Sequence, residues 1–131
     1  MGATQAYVYD DSCVADAAIA RYRIVVAGNT KDHVKYPAGQ DAAEIYGVSQ
    51  HATTASGDTI LVRRLGITKV EVASGSVTRG VPLRAFDVVG RADYQSGLWA
   101  SGDGVLGYSE ETSSASGDII ESWIAIRQLL G

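Results

Sequence analysis

Two aspartates stand in nearly identical short segments, and aspartate is a residue type that serves acid–base catalysis and metal binding. The segment ATTASGDTI at 52–60 contains Asp58, and TSSASGDII at 112–120 contains Asp118. An acid pair or a metal site needs a second carboxylate close by, and none accompanies Asp58 in the sequence. In a Ser-Gly-Asp turn, glycine permits the left-handed conformation and aspartate accepts hydrogen bonds from backbone N–H groups. Four residues are therefore predicted to form structural turns: Gly57, Asp58, Gly117 and Asp118.

Other residues with catalytic or metal-binding chemistry are few and scattered. His33 and His51 are the two histidines, and neither has a second histidine at i+2 or i+4 with which to hold a metal. Cys13 is the single cysteine, which excludes an internal disulfide and a cysteine zinc cluster, so we predict a small buried residue. Adjacent Arg63 and Arg64 fall on opposite faces of a strand and cannot form a joint clamp. No catalytic, metal-binding or cofactor-binding residue is predicted, and no cofactor.

The segment GDGVLG at 102–107 matches the dinucleotide-binding pattern G-x-G-x-x-G. That pattern binds a pyrophosphate only between a strand and the N-terminus of a helix. Here the chain continues as YSEETSSASGD, which enters a turn and has no amphipathic helical periodicity. We interpret the match as accidental.

Composition indicates a folded protein rich in β-structure and excludes two classes of partner. The 131 residues are 46% hydrophobic and 20% charged, with 15 glycines; valine and isoleucine favour strands, and glycine favours tight turns. The net charge of −4, with no cluster of basic residues, argues against nucleic-acid binding. No apolar run approaches the roughly 18 residues that span a bilayer, and we expect no leader peptide because no charged-then-apolar pattern is recognisable at the start. We expect a soluble protein with no membrane partner.

The two turns belong to a longer internal repeat. At an offset of sixty residues Ile45, Gly47 and Ser49 match Val105, Gly107 and Ser109, and upstream the offset is fifty-eight. The repeat predicts two related halves, about 15–66 and 75–126, that share one core, since two copies alone are too few for a solenoid.

Each half has the same order of elements. An extended run is followed by a turn-rich excursion, a strand with an internal glycine, the Ser-Gly-Asp turn and a last strand. The internal glycine indicates a β-bulge or a close backbone approach. Between the halves, GITKVEVASG alternates as a half-buried strand. We predict a mainly β fold: a single small β-sandwich or barrel at 15–131, built from two pseudo-repeated halves, with an extended N-terminal arm or edge strand at 1–14.

With this layout, the sequence resembles the small capsid decoration, or cement, proteins of tailed bacteriophages. Three segments carry the resemblance: AIARYRIVV, AAEIYGVSQHATTASGDTILVRRLGITKVEVASGSVTRGVPL and VLGYSEETSSASGDII. It covers about 15–126, and the order of its small, turn-like motifs is what makes it specific. The YVYDD start and the longer second excursion at 87–104 depart from the family pattern, which leaves the details of capsid contact open.

The resemblance implies a non-enzymatic virion protein that binds the outer surface of an assembled head and bridges major capsid protein subunits. It also implies a homotrimer, with the major capsid protein and itself as partners. An arm of alternating residues could add a strand to an exposed capsid edge, or could be an internal edge strand. Its predicted contact residues are Thr4, Ala6, Tyr7, Val8 and Tyr9.

A second hypothesis is a small β-barrel module that binds a carbohydrate or another ligand. Trp99 lies in the glycine-rich excursion SGLWASGDG, where an aromatic side chain could stack on a sugar ring. Trp123 is assigned either to the core or to a protein interface.

Overall fold

The computed structural model describes residues 8–40, 42, 44–75, 77–94 and 103–128, with side chains to residue 126. Every regular element in these residues is a β-strand. The strands are β1 (Tyr9–Ala15), β2 (Ile24–Ala27), β3 (His33–Lys35), β4 (Ile45–Ser49), β5 (Thr59–Glu71), β6 (Pro82–Ala85), β7 (Ala92–Tyr94), β8 (Gly104–Ser109) and β9 (Ile119–Gln128). Across these described ranges, no helix is long and apolar enough to cross a membrane.

The strands form one continuous sheet that curls on itself. Their order is β1-β3-β2-β4-β5-β9-β8-β6-β7, and an additional pairing joins β1 to β5. The first five strands therefore close into a barrel, and the other four extend from β5. Closure leaves these five strands without a free edge. The predicted mainly β fold, with a small barrel, is confirmed.

Strand β5 joins the two parts of the sheet. Its first segment pairs with β1, from Val14↔Thr59 to Tyr9↔Leu65. Its second segment pairs with β9, from Leu65↔Ala125 to Glu71↔Ile119. The change of partner occurs next to Gly66, whose φ of 103° lies in the region that favours glycine. Residues 8–65 are called the amino-terminal half below, and residues 66–128 the carboxy-terminal half.

The two halves pair their strands in the same way. In the amino-terminal half β1 runs parallel to β3, with Ala15 opposite Val34. In the carboxy-terminal half, Val72 makes a parallel bridge to Ala92. Val72 lies fifty-seven residues after Ala15, and Ala92 lies fifty-eight residues after Val34. The order β3-β2-β4-β5 likewise recurs as β7-β6-β8-β9. In this correspondence β1 is equivalent to the second segment of β5, a relation that the sequence matches did not include.

Two buried clusters fill the molecule. The amino-terminal core contains Cys13, Ala15, Ile19, Val25, Val34, Ile60 and Val62. The carboxy-terminal core contains Val70, Val72, Val77, Leu83, Ala92 and Ile120 at the corresponding positions, together with further residues. Among these are Ile24 and Val48 of the amino-terminal half, both fully buried. The halves therefore share packing across their junction.

Glycines inside β4 and β8 allow close backbone contact. A Cβ on Gly47 would overlap the carbonyl oxygen of Arg63, and a Cβ on Gly107 would overlap the carbonyl oxygen of Trp123. The register of β8 against β9 also shifts between Val105 and Gly107. The expectation of a bulge or close approach at these glycines is therefore confirmed in physical detail.

Candidate functional site

The two Ser-Gly-Asp turns have the same hydrogen bonds. The Asp58 carboxylate accepts from the backbone N–H groups of Thr54 (3.0 Å) and Ala55 (3.1 Å). Asp118 accepts from those of Ser114 (2.7 Å) and Ala115 (3.0 Å). These hydrogen bonds hold the pKa of both carboxyls below the usual aspartate value, because they stabilise the anion. Both carboxylates thus serve their own turns.

The glycines of these turns attach each turn to a neighbouring strand. Gly57 and Gly117 have φ values of 94° and 90°. The N–H of Gly57 donates to the carbonyl of Ala15 (2.8 Å), and that of Gly117 to the carbonyl of Val72 (2.9 Å). One turn is thereby fixed to the last residue of β1, and the other to the residue directly after β5.

The histidines have structural partners. His33 Nδ1 lies 2.6 Å from the Asp16 carboxylate, and the imidazole of His51 accepts from the backbone N–H of Leu61 at 3.1 Å. Within the described part of the chain, no group of three or more His, Cys, Asp or Glu side chains could hold a metal ion.

Cys13 lies in the amino-terminal core and is 2% exposed. Burial raises the pKa of its thiol, because the thiolate loses its solvation. A buried thiol with a raised pKa is a weak nucleophile, which agrees with the predicted packing role.

Arg63 and Arg64 lie on opposite faces of β5, as strand alternation predicts. Arg63 forms a two-point ion pair with Asp10, at 2.7 and 3.0 Å. Arg64 stacks on the ring of Tyr46, with its guanidinium carbon 3.8 Å from the ring centroid. The hydroxyl of Tyr46 donates to the Asp11 carboxylate at 2.6 Å, which raises the pKa of Tyr46.

A surface depression of about 600 Å³ opens beside this stack. Its lining consists of Tyr9, Arg64, Leu65, Ala125 and Ile126. Leu65 and Tyr9 are 45% and 53% exposed. The lining is mainly apolar with one cation, so this surface is suited to binding and has no acid–base pair.

A second surface is a partly exposed row of mainly apolar side chains across four strands, which we call the apolar row. Cross-strand register sets Ile67 beside Trp123, Trp123 beside Tyr108, and Tyr108 beside Pro82. Side chains at paired positions lie on the same face of a sheet. Trp123 and Tyr108 are each 37% exposed, and Ile67 and Pro82 are half-buried.

The equivalent positions in the amino-terminal half form a second row that is largely covered. Asp10 pairs with Arg63, Arg63 with Val48, and Val48 with Ile24. Val48 and Ile24 are fully buried, and β4 packs against β8 and β9. We call this set the covered row. The sequence singled out Trp123 but not its neighbours, because register brings them together from distant parts of the chain.

The predicted arm is only partly within the described residues. Tyr9 begins β1 and pairs with Leu65, and Val8 precedes it with 47% exposure. Thr4, Ala6 and Tyr7 lie outside the described residues, as does Trp99, on which the carbohydrate hypothesis depends.

Comparison with known proteins finds similarity among solved structures. No family model matches the chain, and no curated protein matches it in sequence. Among solved structures, the chain is similar to the head fiber gp8.5 N base in bacteriophage phi29, with a TM-score of 0.66 and 19% identity. The similarity covers 95% of this chain and 99% of that chain. At this identity the likeness establishes a shared fold, consistent with the mainly β fold predicted from the composition and the strand pattern.

Proposed function

We propose that this chain is a phage capsid decoration protein, which binds the outer surface of the head and stabilises it by bridging major capsid protein subunits. The observation that carries the proposal is the whole-length likeness to a head fiber base of a bacteriophage. That likeness is one of fold, whereas the sequence resemblance rests on the order of short motifs. Both support a protein of the phage head. The role is structural and not enzymatic.

The fold suits a protein that works by docking. A closed barrel with well-packed cores loses little conformational freedom on binding, so more of its contact energy is available as affinity. Many copies around a shell would add avidity. The exposed apolar surfaces, namely the depression beside Arg64 and the apolar row, supply contact area of the kind found at protein interfaces.

In this proposal the segment before β1 is the capsid-binding arm, with contacts from Thr4, Ala6, Tyr7, Val8 and Tyr9. The described start of β1 already pairs with β5 at Tyr9. An extended continuation of β1 would present main-chain donors and acceptors to an exposed strand of the capsid. The protein would act as a homotrimer, as the resemblance implies.

Cosedimentation with heads of its own phage tests the proposal. The purified protein is mixed with heads before and after expansion, and bound protein is measured together with the melting temperature of the heads. We expect saturable binding and a higher melting temperature of the decorated heads. Failure to bind heads at any maturation stage would overturn the proposal.

The arm is tested by Ala6→Pro, with Ala6→Ser as the matched control. Proline removes a main-chain donor and is poorly tolerated in a paired strand, whereas serine keeps the donor. We expect Ala6→Pro to weaken head binding at least tenfold and Ala6→Ser to bind as the wild type does. Equal affinity of the two variants would refute a strand-adding arm without affecting the decoration role.

A further inference from the structure

We propose that the depression beside Arg64 is a docking site for a segment of the major capsid protein that carries a carboxylate next to an aliphatic side chain. The inference rests on the proposed function and names the chemistry that the capsid supplies. Three observations carry it: the unpaired guanidinium of Arg64, the apolar lining around it, and the position of the depression beside the proposed arm.

Arg64 is held in place but has no anionic partner. Its Nε donates to the carbonyl of Tyr46 at 3.0 Å, and its guanidinium stacks on the Tyr46 ring. That ring is itself fixed, because its hydroxyl donates to the Asp11 carboxylate at 2.6 Å. Among the described residues, the terminal nitrogens of Arg64 make no hydrogen bond and no ion pair. A preorganised guanidinium with free donors is suited to bind a carboxylate at two points.

Other arginines show what Arg64 lacks. Several of them pair with carboxylates of the chain at 2.7 to 3.1 Å, namely Arg23 with Glu71, Arg63 with Asp10 and Arg91 with Asp87. The segments next to the depression in sequence, 1–7 and 127–131, contain no aspartate or glutamate that could play this part. The carboxylate for Arg64 therefore comes from another molecule.

The rest of the lining favours an aliphatic neighbour for that carboxylate. The other described lining residues are Tyr9, Leu65, Ala125 and Ile126. Leu65 is 45% exposed and Ile126 is half-buried, so a partner can cover further apolar surface. A phosphate group, with its higher charge and additional acceptor oxygens, would leave acceptors unpaired against this lining. A carboxylate beside an aliphatic side chain fits both parts of the depression.

The depression lies where the proposed arm joins the barrel. Tyr9 belongs to the arm and also lines the depression. Leu65 pairs with Tyr9 of β1 and with Ala125 of β9, so β5 changes partner at this point. A capsid strand that pairs with the arm as far as Tyr9 would place its next side chains at the depression. This continuity is the reason for assigning the capsid segment to the depression.

The first test measures head binding of Arg64→Gln, with Arg21→Gln as the matched control. Arg21 also stacks on a tyrosine, with its guanidinium carbon 4.5 Å from the ring centroid of Tyr22, but it does not line the depression. Both variants therefore lose the same charge. We expect Arg64→Gln to weaken cosedimentation with heads about tenfold, as for one lost charge-assisted hydrogen bond, and Arg21→Gln to bind as the wild type does. Equal affinity of the two variants would overturn the inference.

Leu65→Ser tests the apolar part of the site and leaves the Arg64–Tyr46 stack in place. Leu61→Ser is its control, because Leu61 lies on the same face of β5 and is 37% exposed, but does not line the depression. We expect Leu65→Ser to weaken head binding about fivefold, the effect of losing part of a leucine contact, and Leu61→Ser to leave it unchanged. Equal binding of the two serine variants would contradict the aliphatic contact.

A third test needs no heads, because N-acetyl-leucine itself combines a carboxylate with an isobutyl group. Amide chemical shifts of the isolated protein are followed by NMR during a titration, with uncharged N-acetyl-leucinamide as the control probe. We expect the acid to shift Leu65, Ala125 and Ile126, the amide to shift them much less, and Arg64→Gln to abolish the difference. Equal shifts with both probes, or no shift at these residues, would overturn the inference.

These tests separate the inference from the proposed function. If Arg64→Gln and Leu65→Ser bound heads as tightly as the wild type does, the docking site would be refuted and decoration would stand. If the wild type bound N-acetyl-leucine at the depression but bound no heads, decoration would be refuted together with the capsid as the occupant, and the carboxylate site would stand.

Discussion

At the scale of single residues, Asp58 and Asp118 have carboxylates of the kind that can serve in catalysis, but these carboxylates accept hydrogen bonds within their own turns. Each carboxylate accepts two backbone N–H groups and the hydroxyl three residues before its glycine, from Thr54 or Ser114. The sequence predicted these turns because both segments share Ser-Gly-Asp and its flanks. A local motif is predictable when its partners lie within four residues, as they do here.

The lowered pKa of both aspartates gives a pH-dependent prediction. Their contribution to stability is complete above the unfolded pKa of about 3.9 and is lost as pH falls through the lower folded pKa. We therefore expect Asp58→Ala and Asp118→Ala to lower the melting temperature at pH 7 by similar amounts. The difference from the wild type should shrink as pH falls below about 3.9.

Calorimetry between pH 2 and 7 measures this effect, with Ser56→Ala as a control in the same turn as Asp58. The serine variant should melt close to the wild type at every pH, because it keeps the aspartate. A melting temperature of Asp58→Ala that stays equally depressed at low pH would show that the loss is not due to the ionised carboxylate.

At the scale of elements, strand β5 is where sequence and structure differ most. The sequence indicates two separate strands around Gly66, whereas the structure has one strand of thirteen residues, Thr59–Glu71. The reason is non-local, since β1 pairs with its first segment and β9 with its second. Alternation within each segment was predictable, but the exchange of partners depends on chain segments far away in sequence. The apolar row was unpredictable for the same reason.

Glycines 47 and 107 lead to a prediction at this scale. Alanine at either position would force its Cβ into the neighbouring strand, against the carbonyl of Arg63 or Trp123. We expect Gly47→Ala and Gly107→Ala each to reduce the free energy of unfolding by about 1–3 kcal/mol, the usual cost of overpacking. Urea unfolding followed by circular dichroism measures the change.

Gly39→Ala is the matched control, because no atom lies within 4 Å of the position that its Cβ would take. It should change the free energy of unfolding little. If the three variants unfolded at the same urea concentration, the close backbone approach would have no energetic consequence and the glycines would be replaceable.

At the scale of the whole molecule, the sequence led to the fold class but not to the way the halves are joined. Repeated motifs and glycine-rich turns pointed to a small β-fold, and the closed barrel agrees. The shared packing of Ile24 and Val48 with the carboxy-terminal core could not be read from the repeat. Their counterparts are the half-buried Pro82 and the 37% exposed Tyr108, so equivalent positions have different surroundings.

This shared packing predicts that the two halves unfold together. Ile24 belongs to the amino-terminal half but is fully buried in the carboxy-terminal core. Ile24→Ala should therefore reduce the free energy of unfolding by about 2–5 kcal/mol. Both tryptophans, Trp99 and Trp123, are in the carboxy-terminal half of the sequence, so their fluorescence reports on the half that does not contain the mutation.

Urea unfolding followed by tryptophan fluorescence and by circular dichroism distinguishes the alternatives. If the halves form one cooperative unit, both signals shift together to lower urea in Ile24→Ala, in a single transition. Ile19→Ala, within the amino-terminal core, should shift the fluorescence transition in the same way. A fluorescence transition that Ile19→Ala leaves in place, while circular dichroism shows a second step, would mean that the halves unfold separately. The two halves would then be separate folding units, and the argument that a single rigid fold favours docking to the head would no longer hold.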